Sequence, residues 1–214
     1  MEVDRTEHTV AGSKALSTRD YIVRTLTAND VAFWGADAFI SVALALFVVT
    51  FIEGATILNV GIALMIYRVV GALAAIPIGR WFDQHKGYLD EVFGLSLACL
   101  CAGFTYITLS FSTAVWQLYL AMFFLGIFST VNMCSWRILF YNNVNRERFG
   151  ETIGVYQMLF SFGIGLFLAI GGFTGERFGY DRVLLIGGLL MTFGSTLPLL
   201  IRGYFESEGP RSNK

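Results

Sequence analysis

The sequence predicts an all-α membrane protein of six transmembrane helices. Six apolar stretches, at about 31–52, 57–79, 92–110, 115–140, 153–173 and 183–202, fill almost the whole chain. Each is near the roughly 20 residues that a helix needs to cross a bilayer. Of the 214 residues, 55% are hydrophobic and 14% are charged, whereas soluble domains average about 25% charged residues. A soluble fold of this size has no interior large enough for that much apolar surface, so lipid is the solvent for most of it.

The elements follow in order. Residues 1–28 are polar and mixed in charge and read as a cytoplasmic N-terminal segment. They lack an apolar run ending in a small-residue cleavage site, so no secretory signal is expected. Within them Ser17–Asn29 reads as a short surface helix, with Leu16, Tyr21, Ile22 and Leu26 on its apolar side. Residues 29–203 form the membrane domain, and 204–214 a short polar tail that reads equally as a natural end or a linker. The loops expected on one side are tight: Glu53–Thr56, Phe111–Ala114 and Gly175–Asp181. Those on the other, Arg80–Glu91 and Tyr141–Thr152, are longer and carry charge.

Lys and Arg set the orientation, because they are retained on the cytoplasmic side. Arg19, Arg24, Arg80, Lys86, Arg146 and Arg148 fall on the side of the N-terminus, whereas only Arg177 and Arg182 fall opposite. Both termini are therefore expected on the cytoplasmic side of the membrane.

Two charges lie where charge is costly. Asp37 sits about six residues inside the first span, about 9 Å deep at 1.5 Å per residue. A carboxylate there must be paired, protonated or facing water. Burial disfavours its charged form, which suits a proton-coupling group; the other reading is a structural carboxylate near the helix entry. Arg68 lies near the middle of the second span, with Asp37 as the expected partner. It fits binding of an anionic solute group, exchange of partners with Asp37, or a fixed ion pair between helices.

On the fourth span Ser129, Asn132 and Trp136 recur at three and four residues and share a helix face. With Phe128 they form a polar and aromatic stripe suited to a solute path, or to plain hydrogen bonding between helices. Gln157, beside Tyr156 near the start of the fifth span, is a further binding candidate, and Arg137 reads as a snorkelling anchor. Small residues recur along span two (Gly71, Ala75, Gly79) and span five (Ser161, Gly165, Ala169, Gly172). Such stripes let helix backbones approach, within the bundle or across a two-fold dimer.

Cys99, Cys101 and Cys134 all fall inside spans and read as small buried residues. No metal-ligand cluster, nucleotide-cradling loop or nucleophile–base set emerges. The expectation is no enzyme, no cofactor, no metal and no nucleic-acid partner.

Two connections carry a family likeness. After span two, Gly79-Arg80-Trp81-Phe82-Asp83-Gln84-His85-Lys86-Gly87 resembles the loop signature between helices two and three of the major facilitator superfamily. Gly79 and Asp83 match at the family spacing, Gln84 replaces a basic residue, and Gly87 falls one place late. Near the end of span five, Gly171-Gly172-Phe173-Thr174-Gly175-Glu176-Arg177-Phe178-Gly179-Tyr180-Asp181-Arg182 resembles the connection between helices five and six. The family's helix-five proline and its basic residue early in helix four are missing; Met122 stands near the latter's place.

The resemblance covers about residues 28–204 and one half of the usual twelve-helix carrier, as in bacterial single-half members. It implies three-plus-three inverted repeats. It also implies a secondary transporter of small organic solutes by alternating access, with protons as the coupling ion; the aromatic content of 15% favours an amphipathic or apolar solute and hence efflux over import. Gly79, Asp83, Lys86 and Gly87 would form the gating loop. Gly71, Ala75, Ser161, Gly165 and Ala169 would join two copies, since helices two and five make much of the contact between halves. The partners implied are the bilayer, a second copy, a solute and protons. The competing readings are a non-transporting membrane subunit and one half of a split carrier.

Overall fold

A computed structural model describes residues 3–84 and 87–206, with side chains from Thr18 onward. Its main elements are α1 (Val3–Phe51), α2 (Ile57–Gln84), α3 (Leu89–Leu109), α4 (Val115–Asn143), α5 (Phe149–Phe178) and α6 (Tyr180–Gly194). A 3₁₀ turn at Pro198–Ile201 and a short helix α7 (Arg202–Glu206) follow α6. Six helical segments are long and apolar enough to cross a membrane, and no strand occurs among the described residues.

The ends of these helices follow from local chemistry. Gly54, at φ 69°, turns the chain after α1. The Asn59 side chain then accepts from the backbone N–H and the hydroxyl of Thr56, both at 2.8 Å, satisfying donors that the first turn of α2 leaves open. Gln117 does the same for α4, accepting from the N–H groups of Thr113 and Ala114 at 2.9 and 3.1 Å. Gly179, at φ 99°, is the single residue between α5 and α6. That backbone conformation is one that glycine reaches without strain.

Three boundaries differ from those the sequence predicts. The surface helix expected at Ser17–Asn29 is continuous with the first span, which is helical as one α1. Apolar Ile22 and Leu26 are buried against α4 and not left at the surface, so the helix runs unbroken through them into the span. The loop expected from Arg80 is instead the last turns of α2, which contain Arg80 and Asp83. The sixth span is interrupted after Gly194, where Pro198 cannot continue the regular ladder.

Helix packing obeys an internal symmetry. α1 packs against α5 and α6; α4 packs against α2 and α3; α3 packs against α6. Exchanging α1 with α4, α2 with α5 and α3 with α6 maps this scheme onto itself. Because α1 and α4 run in opposite directions, the two three-helix repeats are inverted. Close approach is bought with glycine at matching places. A Cβ on Gly126 of α4 would lie 2.7 Å from the Tyr67 carbonyl oxygen of α2, and one on Gly171 of α5 would strike the Phe39 carbonyl of α1.

Among the described residues the interior holds two apolar cores. One, at the basic end, joins Ile22, Leu26, Leu95, Trp136, Leu139 and Phe140. The other, through the middle and the opposite end, includes Phe33, Phe39, Ile40, Phe47, Cys99 and Leu118. Between them lies a layer of buried polar side chains, among them Asn29, Asp30, Asn132 and Ser135.

Candidate functional site

Polar groups gather in two clusters along α1, seven residues apart. Seven residues are nearly two turns, so Asp30 and Asp37 share a helix face about 10 Å apart along the axis.

The cluster nearer mid-span centres on Asp37. The Tyr106 hydroxyl of α3 donates to Asp37 Oδ1 at 2.6 Å, a charge-assisted distance. Tyr67 and Arg68, both on α2, stand within electrostatic reach of that carboxylate. Ser129 of α4 reaches the Tyr67 hydroxyl, and its own hydroxyl donates to the Gly126 carbonyl at 3.2 Å. Four helices thus meet around one carboxylate. Among the described residues Asp37 and Arg68 form no ion pair within 4.0 Å; the Arg68 guanidinium instead lies 5.4 Å from the Tyr67 ring centroid. Arg68 is exposed on the surface of the six-helix bundle, eleven residues into α2, about 17 Å at 1.5 Å per residue.

The second cluster centres on Asp30, which the sequence reading passed over. It is 3% exposed. The Tyr156 hydroxyl of α5 donates to Asp30 Oδ2 at 2.7 Å, and the Trp34 indole lies within hydrogen-bonding reach. Asn132 Nδ2 donates to Cys99 Sγ at 3.3 Å, and Asn29 Oδ1 lies 3.8 Å from the same sulfur. Trp136 stacks on Phe140, with ring centroids 4.4 Å apart, and lies tilted against Tyr156 at 5.0 Å; its Nε1–H donates to the Leu26 carbonyl at 2.9 Å.

The stripe read on the fourth span therefore divides. Asn132 and Trp136 are turned into the bundle, whereas Phe128 and Ser129 are half-buried near the α2 side. Gln157 is exposed on α5 and donates to the Ser161 hydroxyl at 3.0 Å.

The small-residue stripes divide too. Gly71 faces Gly126 and Thr130 of α4, and the Thr130 hydroxyl lies 3.1 Å from the Gly71 carbonyl; it packs inside the bundle. Ala75 is half-buried, while Ser161, Gly165 and Ala169 are exposed. A Cβ on Gly165 would meet nothing within 4 Å. Gly79 and Asp83 belong to α2, Gly87 lies in the bend before α3, and Lys86 lies outside the described residues.

At the basic end a groove of about 840 Å³ runs between α1 and α5. Asp20, Arg24, Arg148 and Glu151 line its mouth, and Tyr156 and Phe167 line its inner wall.

A search of solved structures returns six matching chains. One is the in meso crystal structure of the POT family transporter PepTSo, with a TM-score of 0.72 at 15% identity. The match covers 91% of this chain and 40% of that one, so the chain spans under half the length of this neighbour. No curated protein matches the chain. The sequence model of the Major Facilitator Superfamily matches residues 30–214. With six apolar helices in two inverted three-helix repeats, the chain is a multi-pass membrane protein belonging to the major facilitator superfamily.

Proposed function

We propose that the chain is half of a secondary transporter and that two copies join through α2 and α5 into a twelve-helix carrier. Arg68 is the observation that carries this reading. A guanidinium at mid-span on the outer surface of the half would face hydrocarbon, at a cost of at least a few kcal/mol. A second half turns that surface into the wall of a wet cavity. The rest of α2 and α5 agrees. In the most apolar stretches of these two helices 6% and 0% of residues are buried within the half, against 56% in α1 and 44% in both α3 and α4.

In this reading both termini face the cytoplasm of a bacterial cell, and the bilayer and a second copy are the partners. A small organic solute binds near the two-fold axis against Arg68, Phe128, Ser129 and Gln157, with Asn132 and Trp136 fixing α4 from behind. Protonation of Asp37 changes the charge that Arg68 and Tyr106 meet, and so biases the inward-facing and outward-facing states. Gly79, Asp83, Lys86 and Gly87 close the cytoplasmic side.

Reconstituted vesicles with an internal pH dye test the coupling. Addition of a transported solute from a panel of organic cations, anions and neutral amphiphiles should move protons with the wild type and not with Asp37→Asn. Equal proton movement by both would sink the role of Asp37.

A further inference from the structure

We propose that the buried polar layer around Asp30 is a hydrated proton passage inside each half, linking Asp37 to the groove at the basic end. The inference rests on reading Asp37 as the coupling carboxyl.

Three observations carry it. First, the layer falls between the two apolar cores. Buried polar groups weaken such a bundle unless they are fully satisfied. Second, it is not satisfied by protein. Asn29 Nδ2, Asn132 Oδ1 and Ser135 Oγ are buried with no protein hydrogen-bond partner, on residues 1%, 0% and 0% exposed. Buried polar atoms of this kind are ordinarily met by ordered water. Third, the layer has a neighbour at each end. Towards mid-span, Cys99 and Tyr106 repeat on α3 the seven-residue step of Asp30 and Asp37 on α1. Cys99 lies at the level of Asn29 and Asp30, and Tyr106 holds Asp37. Towards the basic end, Tyr156 both bonds Asp30 and lines the groove.

The transfer balances as a relay. A protonated Asp37 gives its proton to bridging water. Asp30 carboxylate takes one up from the same water chain, then releases it to water in the groove past the Tyr156 hydroxyl. Both carboxyls end as carboxylates and one proton has left. The groups facing Asp30 are Tyr156 from α5, Arg137 from α4 and Cys99 from α3. Arg137 supplies the positive charge that offsets an ionised Asp30 between transfers.

The test reads the carboxyl C=O stretching band of the full chain in lipid nanodiscs by infrared difference spectroscopy. The pH is lowered until the band appears, and the solvent is then stepped to D₂O. The component removed by Asp37→Asn belongs to Asp37, and its isotope shift is timed. Asp30→Asn should slow that exchange on the order of a hundredfold, the contribution of a positioned proton carrier. Asn29→Leu, which keeps both carboxyls, should slow it in the same direction; Asp30→Glu should restore it. If Asp30→Asn and Asn29→Leu both exchange at the wild-type rate, the passage is overturned while Asp37 keeps its coupling role. If Asp37→Asn removes no component of the band, the coupling role fails and the passage with it.

Discussion

The Tyr106 hydroxyl donates to Asp37 Oδ1 at 2.6 Å, tying α3 to α1 at mid-depth. Asn accepts the same bond, so Asp37→Asn keeps the tie and removes only the charge. Tyr106→Phe keeps the ring and leaves Asp37 without its donor, at a cost of about 1–3 kcal/mol for an unsatisfied buried group. Thermal melts in nanodiscs should therefore show Tyr106→Phe several degrees below wild type and Asp37→Asn close to it. The reverse order would contradict the assignment.

Arg68 makes a cleaner contrast between folding and assembly. Within the half it is exposed, and its ring contact is with neighbouring Tyr67. Arg68→Leu should leave the melting temperature of the isolated half unchanged or higher, while abolishing solute-driven proton movement. Arg68→Lys keeps the charge and loses the planar fork, so it should recover only part of that activity. A half destabilised by Arg68→Leu would show that the residue is structural.

Two glycines separate packing inside the six-helix bundle from the proposed packing between copies. Gly126 lies against the α2 backbone, whereas Gly165 meets nothing within 4 Å. Gly126→Val should cost about 1–3 kcal/mol through overpacking and lower the melting temperature. Gly165→Val should leave the fold intact and reduce the fraction of paired copies in size measurements. Equal effects of the two substitutions on folding would defeat the distinction.

Trp136→Phe tests the interior placement of α4. It removes the 2.9 Å bond to the Leu26 carbonyl and leaves a ring that still stacks. The expected loss is about 0.5–1.5 kcal/mol, read as a small drop in melting temperature.

The sequence carried the helices and their number, since spans of twenty apolar residues have no other solution in lipid. It carried Asp37 and Arg68 for the same reason: charge at depth stands out against Leu and Val. It did not carry the direction in which the α4 stripe faces. Ser129, Asn132 and Trp136 share a face by spacing, but whether that face meets a cavity or α1 depends on neighbours distant in sequence. Asp30 carries no such signal, because it stands one residue before the first apolar stretch, at about 31–52, where a carboxylate at a span end is ordinarily solvated. Its burial comes from Tyr156, 126 residues later. Tyr106 gave no signal, because one tyrosine in an apolar helix resembles any other aromatic until its hydroxyl finds a carboxylate.

Copper-catalysed cross-linking of single cysteines in native membranes tests the pairing of two halves most directly. The three native thiols are first replaced by Ser or Ala, and Ser161→Cys or Ala169→Cys on α5 is then compared with Leu97→Cys, which is exposed on α3. Pairing through α2 and α5 requires the two α5 cysteines to give a covalent dimer and Leu97→Cys to stay monomeric. Monomer at all three positions, or equal dimer at all three, would contradict it.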